Sequence, residues 1–132
     1  MGYLFDTSML AEVLRASPSR TLVRRLTTVP TKDRWTSVVT VSQLLVAARR
    51  AQTPRIMQSV VQLVAAVRVA PFDLAAAQTF AKLRASVAEH LDADDVMIAA
   101  IAITQGFVVV TKRPREFSPF HQLRVEDWTR GG

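Results

Sequence analysis

The stretch Leu91-Asp92-Ala93-Asp94-Asp95-Val96-Met97-Ile98-Ala99-Ala100-Ile101-Ala102-Ile103-Thr104-Gln105-Gly106, continued by Phe107-Val108-Val109-Val110-Thr111, decides the fold. It opens with three aspartates and continues as about three turns of almost wholly apolar helix, which Gly106 ends. Residues 107–110 are consecutive, bulky and mostly β-branched, and read as a buried strand. A helix apolar on nearly every face belongs inside the protein. Its charged first turn therefore carries Asp92, Asp94 and Asp95 to the edge of a core.

Outward from that stretch, residues 2–5 form a short apolar strand ending at Asp6, and Asp6-Thr7-Ser8 offers capping oxygens to a helix through Met9, Leu10 and Val13. Ser17-Pro18 predicts the start of a second helix running to Thr27, with Arg20, Arg24 and Arg25 on its other face. Residues 34–39 read as a second strand, after which Thr40 caps a helix into Arg49-Arg50. Thr53-Pro54 opens another helix through Val60, Val64 and Val67, residues 68–72 form a third strand, and Asp73 caps a long helix through Val87 toward His90. Beyond Thr111 come a polar turn at 112–117, an edge strand at 123–125 and a tail ending in Gly131-Gly132. Helices separate the strands and no hairpin signal such as Asn-Gly appears, so the sheet is expected to be mainly parallel. The expected architecture is a single α/β domain over residues 1–132, a three-layer α/β/α sandwich with short strands.

Composition narrows the chemistry. With 132 residues, 49% hydrophobic content and a mean hydropathy of +0.17, the chain has material for a proper core. The absence of cysteine excludes a disulfide scaffold, a thiolate zinc site and a cysteine nucleophile, and fits a reducing compartment. No apolar run is long enough for a membrane span and the N-terminus lacks a signal-peptide pattern, so a soluble, cytoplasmic protein is expected. Lys and Arg number 17 against 11 Asp and Glu, for a net charge of +6, and most of those cations are arginine. The planar guanidinium fork suits phosphate oxygens, so on charge alone a nucleic-acid or acidic protein partner and a merely solvated helix surface both fit.

Asp6, Asp95 and Glu116 each fall at or near the carboxyl end of a strand or the start of the buried helix. In a parallel sheet the strand ends line one edge, so residues distant in sequence can share a cleft there. Asp92 and Asp95, three apart, lie on one helix face. Converging carboxylates repel one another unless a cation neutralises them, and oxygen-only ligation suits Mg2+ or Mn2+. Taken singly, Asp6 also serves as a helix cap, and the Asp92, Asp94, Asp95 cluster also suits the positive end of a helix dipole.

The opening Leu4-Phe5-Asp6-Thr7-Ser8-Met9-Leu10, the stretch Trp35-Thr36-Ser37-Val38-Val39-Thr40-Val41-Ser42-Gln43-Leu44-Leu45, the central Asp95-Val96-Met97-Ile98-Ala99-Ala100 and the closing Val110-Thr111-Lys112-Arg113-Pro114-Arg115-Glu116-Phe117 resemble, in order and spacing, a PIN-domain protein. The nearest look is to the VapC toxins of bacterial and archaeal toxin–antitoxin pairs. Each motif alone is weak, whereas the ordered set across essentially the whole chain is specific.

The resemblance implies a Mg2+- or Mn2+-dependent endoribonuclease that hydrolyses RNA phosphodiester bonds and is inhibited by a cognate antitoxin. By position, Asp6 matches the first acidic ligand, Asp95 the principal acid of the second half, and Glu116 a site where the family commonly has aspartate. Asp92 stands as an auxiliary ligand one turn before Asp95, and Thr7, Ser8 and Thr111 fall where family hydroxyls support the carboxylates or touch phosphate. Two positions depart from the pattern: Gln43 replaces the family's second acid, and Arg113 occupies a common asparagine position. An amide oxygen carries no charge, so weaker metal binding is expected. A second reading follows, in which the chain is a catalytically weakened module that binds antitoxin or RNA.

Lys112, Arg113 and Arg115, with the Arg20, Arg24, Arg25 face, are the candidates for the RNA backbone. Neither His90, at a helix end, nor His121, in a polar loop, is expected to act as a general base. A homodimer and a hetero-oligomer with the antitoxin are expected from the resemblance, and the Val60, Val64, Val67 face fits such an interface. A phosphohydrolase of the haloacid dehalogenase type fits less well, since it wants a second aspartate where this chain has Ser8.

Overall fold

Side-chain alternation along the central strand builds both halves of the core. The computed structural model describes residues 1–87 and 89–130. In strand β1 (Tyr3–Phe5), Leu4 faces one side of the sheet with its register partner Val109, and Phe5 faces the other with Val110. The remaining strands are β2 (Arg34–Ser37), β3 (Arg68–Ala70), β4 (Val108–Val110) and β5 (Val125–Glu126), in the order β3-β2-β1-β4-β5 with every pair parallel.

Helices cover both faces, as the patterning predicts. On the Phe5 side lie α1 (Thr7–Val13), α2 (Arg20–Thr27) and α4 (Pro54–Ala65), packed with Met9, Leu10, Leu22, Val60 and Trp128. On the Leu4 side lie α5 (Leu74–Ser86) and α6 (Ala93–Gln105), packed with Ala76, Val96, Ile98, Ile101 and Phe117. Helix α3 (Val38–Ala51) serves both sides, sending Val39 into one cluster and Leu44 and Ala48 into the other. This is the expected three-layer α/β/α arrangement.

The organising helix behaves as its sequence requires. Asp92 caps it by accepting from the backbone N–H of Asp94 at 2.8 Å and of Asp95 at 3.3 Å. Gly106 ends it at φ 73°, with Gly106 N–H on the Ile103 carbonyl and Phe107 N–H on the Ala102 carbonyl. That left-handed turn is cheap only for glycine.

Several boundaries differ from the expectation. Ser19, not Ser17, caps α2, and the helix begins at Arg20, so Pro18 lies outside it. The second strand stops at Ser37, whose hydroxyl accepts from Thr40 N–H at 3.0 Å and starts α3 three residues early. Both residues are good caps; β2 is short because its partner β1 ends at Phe5, paired with Thr36. Helix α5 ends at Ser86, which leaves His90 in a turn rather than at a helix end. Val60 is 2% exposed and faces the core, so it is not part of a free apolar face; the large apolar residues exposed on α4 are Ile56 and Val61. The Gly131-Gly132 tail lies outside the described residues. Among those described, no helix is long and apolar enough to cross a membrane.

Trp128, within the tail that follows the edge strand, is buried against Tyr3 and Phe5 with ring centroids 5.0 and 5.2 Å away. Its indole N–H donates to Glu126 at 2.9 Å, so the C-terminal segment closes the sheet face beside β1.

Candidate functional site

The strand order reverses at β1, from which β2 runs to one side and β4 to the other. The crevice outside the carboxyl ends of β1 and β4 is a topological switch point, the usual ligand position in open α/β sheets. Asp6 leaves β1 and Thr111 leaves β4 at that point, and Asp6 N–H donates to the Val110 carbonyl at 3.1 Å.

Asp6 is fully buried and heavily coordinated. Its Oδ1 accepts from Ser8 Oγ at 2.7 Å and from Met9 N–H at 3.0 Å, which caps α1. Its Oδ2 accepts from Thr111 Oγ1 at 2.6 Å and lies 3.5 Å from an Arg113 guanidinium nitrogen. The capping role and a site role thus coexist, because a carboxylate has lone pairs for both.

Asp95 arrives from the first turn of α6 and is 8% exposed. Arg113 grips it with both terminal nitrogens, at 2.9 Å to Oδ1 and 3.3 Å to Oδ2. The same guanidinium therefore bridges Asp6 and Asp95, two of the acids that the sequence singles out. The hydrogen bond to Asp95, and the charges of Asp95, Asp6 and Glu116, hold the Arg113 proton more firmly than usual.

Gln43 reaches the site from α3. Its Oε1 accepts from the Thr7 hydroxyl, and its Nε2 donates to Asp94 Oδ2 at 2.9 Å. An amide suits this place because it accepts on one side and donates on the other, whereas a glutamate would set two carboxylates face to face. Asp94 is thus the partner of Gln43, a pairing across 51 residues that no local pattern announces.

Thr7, Ser8, Gln43, Asp92, Asp95 and Arg113 line a cavity of about 390 Å3. Beside it His90, Asp92, Asp95, Arg113 and Glu116 line a second, of about 370 Å3. Glu116 is exposed and sits on this outer side, on the turn Pro114–Phe117. Among the described residues no three Asp, Glu, His or Cys side chains converge closely enough to form a ready metal cluster. The donor set itself is all oxygen, with two carboxylates facing one cation, the Arg113 guanidinium. Those residues fit a hard divalent ion in type and charge.

The profile of the PIN domain family matches residues 3–118. This chain belongs to the PIN domain family. Over 133 residues this PIN domain is 29% identical to the tRNA(fMet)-specific endonuclease VapC of Shigella flexneri, covering 98% of this chain and 99% of that relative. It is 29% identical over 125 residues to Toxin FitB of Neisseria gonorrhoeae, covering 86% and 89%. It superposes with a TM-score of 0.87 and 27% identity on a chain of the crystal structure of DNA-bound VapBC from Salmonella typhimurium, covering 97% and 98%.

The basic residues of the PIN domain divide into bound and free. Lys112 Nζ pairs with Glu12 at 2.8 Å, Arg113 with Asp6 and Asp95, and Arg25 with Glu126 at 3.1 Å while stacking over Trp128. Arg20, Arg24 and Arg115 are exposed and make no ion pair among the described residues. Arg50, passed over as a helix end, lines a largely apolar cavity of about 500 Å3 with Gln43 and Asp94.

Glu12 is the residue that sequence reasoning missed. It is 3% exposed and accepts from Lys112, from Ser19 N–H at 2.9 Å and from Arg15. Lys112 first, then Ser19 and Arg15, hold its carboxyl down from about 4.5 to about 2. It thereby ties α1, the start of α2 and the loop after β4 into one support for the cleft. A carboxyl depressed on folding contributes stability that is full above its ordinary value and is lost as pH falls through the folded one. Stability should therefore decline between about pH 4.5 and about 2, and Glu12→Gln should flatten that acid limb in urea unfolding. An acid limb of unchanged steepness in the variant would remove Glu12 from this role.

Proposed function

We propose that this PIN domain is a divalent-cation-dependent endoribonuclease, the toxin of a VapBC-type toxin–antitoxin pair, held in check by its antitoxin. One observation carries the reading: at the switch point Asp6 and Asp95 both lie against the same guanidinium nitrogen of Arg113. Full-length similarity to proteins named as an endonuclease and as a toxin supports it. So does similarity to a chain of a VapBC complex.

Asp6 and Asp95 would hold Mg2+ or Mn2+, with Gln43, Asp92 and Glu116 within the lining of the same two cavities as neutral or outer ligands. A bound divalent ion supplies activation of the attacking water and neutralises charge on the phosphate and the departing oxygen. The chain's own residues do the positioning. Ser8, Thr111 and Met9 N–H fix the Asp6 carboxylate, and the Asp92 cap fixes the first turn of α6 that bears Asp95. Arg115, Arg20 and Arg24 remain available to RNA phosphates.

The Thr7–Gln43–Asp94 chain favours a second reading, since it uses as a structural link the residue that stands where the family has an acid. On that reading the domain binds antitoxin or RNA with little turnover. The deciding experiment offers a structured RNA mixture to this chain and to Gln43→Glu, with Mn2+ and then with chelator. Cleavage that chelator stops is the expected result. Cleavage by Gln43→Glu alone supports the binding module, and no cleavage or Mn2+ binding by either overturns the nuclease reading.

A further inference from the structure

A guanidinium held by two carboxylates at a switch point is an unusual use of an arginine in a chain rich in exposed ones. Asp6 is 0% exposed and Asp95 8%, and both lie within 3.5 Å of one guanidinium nitrogen, so two largely buried negative charges share one place. That arrangement requires a cation. Arg113 supplies it at 2.9 and 3.5 Å, and its backbone N–H is anchored on Thr111 Oγ1 at 2.9 Å. The side chain is nevertheless 40% exposed, so it has an open route to solvent. Glu116, three residues on and exposed, and the ring of Phe117, 6.0 Å from the guanidinium carbon, give it alternative company on the same turn.

We propose that Arg113 is a built-in counter-cation of this cleft, occupying the position between Asp6 and Asp95 that a divalent ion would take, so that ion entry would require the arginine to leave. The inference rests on the metal-dependent reading above. Its consequence is coupling between ion and RNA. A guanidinium displaced from two carboxylates is freed at the rim of the cavity, where an RNA phosphate offers it a bidentate partner. Ion binding then favours RNA binding, and the reverse holds equally by linkage. Without ion and RNA together, Arg113 keeps the cleft closed to chemistry.

The test is Mn2+ titration of the full chain without RNA, by calorimetry, for the unaltered protein, Arg113→Asn and Arg113→Lys. Removing the competing charge should tighten Mn2+ binding about tenfold in Arg113→Asn, and Arg113→Lys, which keeps a charge but loses the fork, should fall between. Thermal unfolding gives a second readout. Arg113→Asn should melt lower than the unaltered chain in chelator and gain more from excess Mn2+. Equal or weaker Mn2+ binding by Arg113→Asn overturns the role of Arg113 while leaving metal dependence standing. Mn2+ binding by none of the three overturns both.

Discussion

Asp95→Asn should leave the chain folded and lower RNA cleavage by about a thousandfold or more, the scale expected when a site built on two charges loses one. The substitution is nearly isosteric, and the cap on α6 survives because it uses the Asp95 backbone N–H and the Asp92 side chain. What disappears is a full negative charge at the cation position, together with one of the two oxygens that accept from Arg113. An asparagine turns at most one oxygen to the cation. Initial rates at saturating Mn2+, in this chain and in the Gln43→Glu background, measure the loss, and circular dichroism confirms the fold. Activity within tenfold of the parent would take Asp95 out of the site.

Asp6→Ala should lower stability by about 3 kcal/mol, besides abolishing activity. The alanine strands three donors: Met9 N–H, the Ser8 hydroxyl and the fully buried Thr111 hydroxyl. It also removes the N-cap of α1. An unsatisfied buried donor costs about 1 to 3 kcal/mol, and relaxation toward water at the cleft recovers part of the sum. Urea unfolding reads the difference directly. A loss below about 1 kcal/mol would mean that Asp6 is held by fewer partners than the geometry gives it.

These two effects differ in kind because the two acids are built differently. Asp6 is legible in sequence as a strand-terminal acid and Asp95 as the head of a buried helix, since both signals are local: a short apolar run that stops, and an apolar helix that starts with charge. The parallel sheet was legible for the same reason, from strands separated by helices with no hairpin turn between them. Boundaries were less so where two capping residues compete. Ser37 wins over Thr40 because strand pairing with β1 sets the length of β2, a tertiary fact that residues 34–40 do not carry.

The electrostatic wiring of the cleft was the part that sequence could not disclose. Arg113 meets Asp95 across 18 residues, and Lys112 meets Glu12 across 100. Reading both cations as free for RNA follows from their place in a polar loop. Their carboxylate partners come from α6 and α1, which the sheet brings to that loop only on folding. Gln43 is similar: its departure from the family pattern is visible in sequence, whereas the Thr7 and Asp94 contacts that make an amide useful there are not.

The central claim, hydrolysis by water at a cation held between Asp6 and Asp95, is tested most directly by the chemistry of the cut ends. Among the described residues no histidine hydrogen-bonds to Asp6 or Asp95, and His90 lines the outer cavity rather than the one between Thr7, Ser8 and Asp95. RNA cut by this chain in Mn2+ should therefore carry simple phosphate and hydroxyl termini, and none should form in chelator. Ends bearing a 2′,3′-cyclic phosphate, produced equally with and without the divalent ion, would contradict the account.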